Sequence, residues 1–191
     1  MEPSLKITTF EKELGYIVND NIRNCTIKVL EKVNEKFFTE PASSTGKYHP
    51  DYALGEGGLV RHTKAAVRIA NDLLHLENNA STPDEGDMII AALILHDTCK
   101  SGIDWEGKYT KHEHPLLAKE LVESCFDELD LDGKEFAAIV GDLISTHMGQ
   151  WNTCKWSNIE LPKPETSAQN FVHICDYLAS RKYLEFNFDV D

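Results

Sequence analysis

Residues 84–100 read DEGDMIIAALILHDTCK. Acidic residues open the stretch, where the positive end of a helix dipole favours them. Residues 88–95 are then apolar without a break, on every side of a helical wheel. A helix that is apolar all round is a buried one, and this run is far short of the ~20 residues that span a bilayer. It therefore predicts the central helix of a packed core. It ends on His96 and Asp97. Burying a carboxylate without a partner costs several kcal/mol, so Asp97 must face a partner or a cleft. A polar site is expected at that end of the helix.

Outward from this helix the chain reads as further helices. Residues 10–38 carry Ile17, Ile22, Cys25, Val29, Val33 and Phe37 at steps that suit one or two amphipathic helices, broken near residues 19–21. A long loop follows at 40–58, EPASSTGKYHPDYALGEGG, rich in Pro, Gly and Ser; its length alone raises a functional role. Residues 59–76 predict a helix, interrupted by Ser81, Thr82, Pro83 and Asp84. After the central helix, expected over 84–99, a polar loop spans 101–113. Helices are predicted over 115–129, with Pro115 suited to a first turn, and over 133–146. A loop at 148–164 holds Trp151 and Trp156, which either stack a base or cover the end of the core. Thr166-x-x-Gln169 resembles a capping box at the start of a last helix, 166–184. No strand pair is predicted. The expectation is all-α, six or seven helices in one domain over 1–191.

Composition narrows the function. The chain has 191 residues, enough to bury one core. Its 19 Lys and Arg face 32 Asp and Glu, a net charge of −13. Duplex-DNA binding needs a basic face and is not expected; a phosphate substrate remains open, because bound metal ions invert the local field. Five cysteines without a C-x-x-C pair suit reduced thiols. The N-terminal MEPSLKITTFEKEL has no basic stretch ahead of an apolar core, so no signal peptide is expected. The expected setting is the cytoplasm, away from membranes. The acidic stretch 126–135 reads as a solvated turn, since Ile139 stands where a calcium loop needs its glutamate.

The eight histidines and their neighbouring carboxylates carry the chemistry. His62, His96 with Asp97, His112 or His114, and His147 fall at predicted helix ends, and Asp176 lies within the last helix. Side chains from several helix ends can converge on one point. Imidazole with carboxylate suits Mn, Fe, Co, Ni or Zn, and two such ions about 3.5–4 Å apart would activate water and clamp a phosphoryl group.

The series GGLVRHT (57–63), HDTCK (96–100), HEHPLLA (112–118), STHMG (145–149) and CDYLASR (175–181) resembles the HD-domain superfamily of metal-dependent phosphohydrolases. The pattern, H…HD…H…H…D, covers about 57–181, with 1–56 left as N-terminal helices and a substrate-side loop. The resemblance implies that His62, His96, Asp97 and Asp176 hold a first metal and that His114 and His147 add a second. Asp97 would bridge the two. The ions would be divalent: Mn, Fe, Co, Ni, Mg or Zn. Lys100 matches a lysine near substrate phosphate. Lys47 and His49, in a loop resembling one ahead of the first histidine in some members, are candidate substrate contacts. His112 is an alternative to His114. His173, one turn before Asp176, reads as a core or supporting histidine.

The implied function is a phosphomonoesterase or phosphodiesterase acting on a nucleotide or short nucleic-acid phosphate through a metal-bound hydroxide, with His49 or water protonating the leaving oxygen. A stand-alone enzyme on small substrates is expected. The rivals are a di-iron oxygenase, which some HD-fold proteins resemble, and a non-catalytic HD module that binds a ligand.

Overall fold

The structure is a computed structural model that describes residues 1–76, 79, 82–103 and 109–184. Ser81 of the expected interruption and 104–108 of the expected polar loop lie outside the described residues. In chain order the helices are α1 (Pro3–Thr9), α2 (Glu11–Leu14), α3 (Asp20–Lys32), α4 (Lys36–Thr39), α5 (Gly58–Leu74), α6 (Pro83–Leu95), α7 (His114–Ser124), α8 (Leu131–Ser145) and α9 (Ser167–Ala179). Short 3₁₀ turns cover Asp51–Ala53 and Gly149–Trp151. The architecture is an all-α bundle, with no strand among the described residues. The six long helices, α3 and α5 to α9, correspond to the expected ones; α1, α2 and α4 are short.

Helix α6 is the axle. Ile89 through Leu95 are all buried, and α6 packs against α3, α5, α8 and α9. Each large side chain taken out of water there contributes about 1.5–3 kcal/mol. Thr82 caps its start by accepting from Glu85 N at 3.2 Å, with Pro83 in the first turn. The helix stops at Leu95, short of the expected 99, because side chains compete for its last carbonyls. His96 Nδ1 bonds Leu93 O at 2.7 Å, and Thr98 Oγ1 donates to Leu95 O at 2.7 Å. The chain turns over 96–100, which swings His96 and Asp97 into the protein.

The expected 10–38 helix breaks at Asn19, which caps α3 through Asn21 N at 2.9 Å, and again at Val33, where the backbone is extended. Buried polar groups tie these N-terminal helices on. Asp87 of α6 accepts from Val18 N and Asn19 N at 3.1 and 2.7 Å. Lys6 donates to Glu31 O and Val33 O at 2.9 and 2.7 Å, satisfying carbonyls left open at the end of α3. Buried Glu13 lies 3.5 Å from both Lys64 and Arg68 of α5.

The 40–58 loop is pinned to the bundle. Arg61 donates to the carbonyls of Leu54 and Glu56, each at 2.9 Å, and Tyr52 Oη donates to Ala179 O at 2.9 Å. Gly58 opens α5 where a Cβ would stand 2.2 Å from Ala53 O, so only glycine permits this close approach. The last helix begins with the expected capping box of Thr166 and Gln169, and Gln169 Nε2 also donates to Asp142 of α8 at 2.7 Å.

Candidate metal centre

The ends of α6 and α8, the starts of α5 and α7, and the body of α9 bring six sequence-predicted residues together. His62, His96, Asp97, His114 and His147 are buried, and Asp176 is largely so. Asp97 divides the histidines. Its Oδ2 lies 3.7 Å from His62 Nε2 and 3.4 Å from His96 Nε2. Its Oδ1 lies 3.1 Å from His114 Nε2 and 3.7 Å from His147 Nε2. Asp176 Oδ1 faces the first side, 2.9 Å from His62 Nε2 and 3.5 Å from His96 Nε2.

Three of the histidines share one backbone device. His96, His114 and His147 each bond, through Nδ1, the carbonyl three residues earlier, at 2.7, 2.6 and 2.8 Å. A carbonyl can only accept, so Nδ1 carries the proton and Nε2 carries a lone pair in the neutral ring. This leaves lone pairs facing one another. His114 Nε2 and His147 Nε2 stand 3.2 Å apart beside Asp97 Oδ1. His96 Nε2 and Asp97 Oδ1 are buried without a hydrogen-bond partner. Nitrogen and oxygen lone pairs so placed are unfavourable unless a proton or a metal cation sits among them. His62, His96 and Asp176, and again His96, Asp97 and His147, offer ligand atoms within 4.8 Å of one another. The donor set therefore fits divalent metal ions of the imidazole-and-carboxylate class. His62 is held differently: its Nδ1 is buried without a partner, and the His49 ring packs 5.2 Å away.

The field at the site calls for positive charge. Burial works to raise Asp97, yet Lys100 and His96 outweigh it and hold its carboxyl well below the usual range. Asp176 is held down likewise against burial, by His62 and His96. Burial opposes charge on His96, but Asp97 and Asp176 override it and push the ring up to about 10. The field that holds a proton there would equally draw a metal cation. Burial, then His96 and His114, push His147 down to about 3, leaving it the neutral ring a metal needs.

Lys100 contacts Asp97 Oδ2 directly. A continuing helix could have brought the two together; instead Lys100 N donates to Asp97 O at 3.0 Å within a turn. Burial, then His62 and Lys100, push His49 down to about 3. Lys47 is exposed, its ammonium 5.0 Å from the Tyr48 ring centre. His112 turns away from the cluster, its Nε2 bonding Asn152 O and Ile159 O at 3.2 and 3.1 Å, so it pins the 148–164 loop. His173 Nδ1 bonds His147 O at 2.7 Å. Its ring fills the space a Cβ on Gly149 would take, 2.3 Å away, and Gly149 has a φ of +55°. Trp151 stacks on Tyr177, with ring centres 5.5 Å apart and planes 14° apart, and the Arg181 guanidinium lies 4.2 Å over the Tyr177 ring. The carbonyl device and the His173 support have no signature in the sequence, since any residue supplies a carbonyl.

This fold with this cluster defines a helical domain whose His/Asp groups could hold metal ions. The model of the HD domain family matches residues 48–181, and the chain belongs to that family. HD domains bind divalent metals. A curated relative, the 3′-5′ exoribonuclease YhaM of Geobacillus sp. (strain WCH70), is 26% identical over 166 residues. The match covers 80% of this chain and 48% of that protein, so the chain spans about half the length of the relative. No solved structure matches the chain. No helix among the described residues is long and apolar enough to cross a membrane.

Proposed function

We propose that the protein is a metal-dependent phosphohydrolase acting on a nucleotide or a short nucleic-acid phosphate ester, with residues 1–191 working as one HD domain. The observation that carries this reading is the division of the Asp97 carboxylate: one oxygen faces His62 and His96, the other faces His114 and His147. His62, His96, Asp97 and Asp176 would hold one divalent ion, and Asp97, His114 and His147 a second. Ions held there would supply hydroxide from water at neutral pH and neutralise charge on phosphoryl oxygens.

The chain's own groups do the rest. Asp97 holds both sides of the cluster together and would offset the repulsion between two cations held there. The carbonyls of Leu93, Lys111 and Ile144 fix the ring orientation of three histidines, the kind of support that raises ligand basicity. The Lys100 ammonium, in contact with Asp97, pairs with a non-bridging phosphate oxygen. His49, a neutral ring against His62, positions the leaving oxygen by a hydrogen bond, and water protonates it. The match to a 3′-5′ exoribonuclease supports a nucleic-acid ester as substrate. The net charge of −13 favours short substrates over long duplexes.

The test is metal analysis of the purified chain, then a screen of nucleoside monophosphates, cyclic nucleotides and short oligonucleotides with Mn, Co, Ni, Fe and Mg. Hydrolysis that disappears in Asp97→Ala is expected. Oxygen uptake with iron and no phosphate release would replace the hydrolase reading with the oxygenase one.

A further inference from the structure

We propose that Trp151, stacked on Tyr177 and braced by Arg181, is a nucleobase subsite beside the metal centre. The proposal rests on the phosphohydrolase reading for where the phosphate sits, and it adds which part of the substrate is recognised and by what. Trp151 is 44% exposed, far more than a residue that merely closes the end of a core. One of its faces is committed to Tyr177, in a nearly parallel stack 5.5 Å between centres. The Arg181 guanidinium lies 4.2 Å over the same Tyr177 ring, and it is anchored by Nε to Tyr177 O at 3.2 Å and by a nitrogen to Ser180 Oγ at 2.7 Å. A cation over an aromatic face fixes that ring, so Trp151 stacks on a rigid support.

The position is tied to the metal cluster from two sides. Tyr177 follows Asp176 directly in α9. His173, 5.9 Å from Trp151 between ring centres, bonds the backbone carbonyl of His147 at 2.7 Å. The turn carrying Trp151 leaves His147 through Gly149, whose φ of +55° bends the chain back over His173. A nucleotide has one sugar between phosphate and base, so a base subsite must lie near the phosphate site; Trp151 follows His147 by four positions, and its stacking partner Tyr177 is next to Asp176 in the chain. Trp156, by contrast, is 93% exposed and has no ring partner among the described residues, so no stack supports its ring. Stacking suits any base because each has a π face. A net charge of −13 disfavours tracking a long strand, which draws on a basic groove. One base at one phosphate is the unit read.

The test uses the full metal-loaded chain and two hydrolysis-resistant ligands, the phosphonate analogues of adenosine 5′-monophosphate and of ribose 5-phosphate. They share sugar and phosphonate and differ by the base. Isothermal titration is expected to give the adenosine ligand about 5- to 150-fold higher affinity, the range for one stacked base. Trp151→Ala should bring the two ligands within about twofold by abolishing that stack; Trp151→Phe should keep most of the preference. If Trp151→Ala does not fold, Trp151→Leu carries the same expectation, since it keeps apolar bulk without a π face. Equal affinity in the wild type, a preference unchanged by Trp151→Ala or Trp151→Leu, or no binding of either ligand would overturn the subsite. Ester hydrolysis without any base preference rejects the subsite alone. A base preference that depends on Trp151, with no ester hydrolysed under any metal, rejects the hydrolase reading alone.

Discussion

Asp97 and Lys100 sit three residues apart, and their proposed roles predict opposite mutant behaviour. Asp97 lies between two pairs of histidines and is buried. Asp97→Ala should strip metal and activity together, read by metal analysis and phosphate release. Lys100→Ala should leave metal content nearly intact and lower turnover by about 10²–10³-fold, the scale for losing one preorganised donor to developing charge. Wild-type turnover by the metal-loaded Lys100→Ala protein would remove the lysine from the reaction and leave its contact with Asp97 as a charge pair only. His112 and His114 show how fine the residue scale is. Two positions separate them, yet His114 Nε2 reaches Asp97 at 3.1 Å while His112 binds loop carbonyls 3.1–3.2 Å away.

Helix ends set the geometry of the elements. The cluster forms where α6 and α8 stop and α5 and α7 begin, because turn backbone offers carbonyls that a helix interior keeps for itself. Gly149 is one tight point of this kind. Gly149→Ala would require a left-handed backbone for alanine and a Cβ 2.3 Å from the His173 ring. We expect a loss of about 2 kcal/mol, read as a melting temperature lower by about 4–8 °C at 2–4 °C per kcal/mol for a chain of this size. An unchanged melt would mean that His173 moves aside freely and does not support His147. At the start of α9, which carries Asp176, Thr166 is the cap. Thr166→Ala should cost about 1 kcal/mol, and a urea midpoint that does not shift would show that Gln169 and Asp142 alone hold the helix start.

Across the whole molecule, one core and one cluster share α6. Leu93 is fully buried in that helix, and Leu93→Ala should destabilise by about 2–5 kcal/mol through lost burial and the cavity left behind. The cluster should couple to folding as well. Its lone pairs face one another, so ions that bind only the folded chain raise stability, by about 2.7 kcal/mol at a hundred times the dissociation constant. Thermal melts with Mn or Co are expected to rise, to fall back with chelator, and to show no metal-dependent rise in Asp97→Ala. A wild-type melt indifferent to every divalent ion would argue against the metal centre itself.

The apolar run 88–95 was enough to mark a buried helix, because no amphipathic alternative exists for eight apolar residues in a row. His96 and Asp97 at its end were legible as a site because burial without partners is too costly for a carboxylate. The positions of His62, His114, His147 and Asp176 were legible only as a spaced pattern resembling a family, since nothing local distinguishes a helix-end histidine that binds a metal from one that faces water. Three helices end several residues short of the expected 99, 129 and 184, at Leu95, Ser124 and Ala179, because side-chain bonds to the last carbonyls end a helix that propensity would continue. Tertiary structure alone decided which oxygen of Asp97 faces which histidine, and that His173 holds the His147 carbonyl while Trp151 rests on Tyr177. The last two contacts each join residues 26 positions apart in the chain. Pattern and propensity act over a few residues; only packing of the helices brings such distant groups into register.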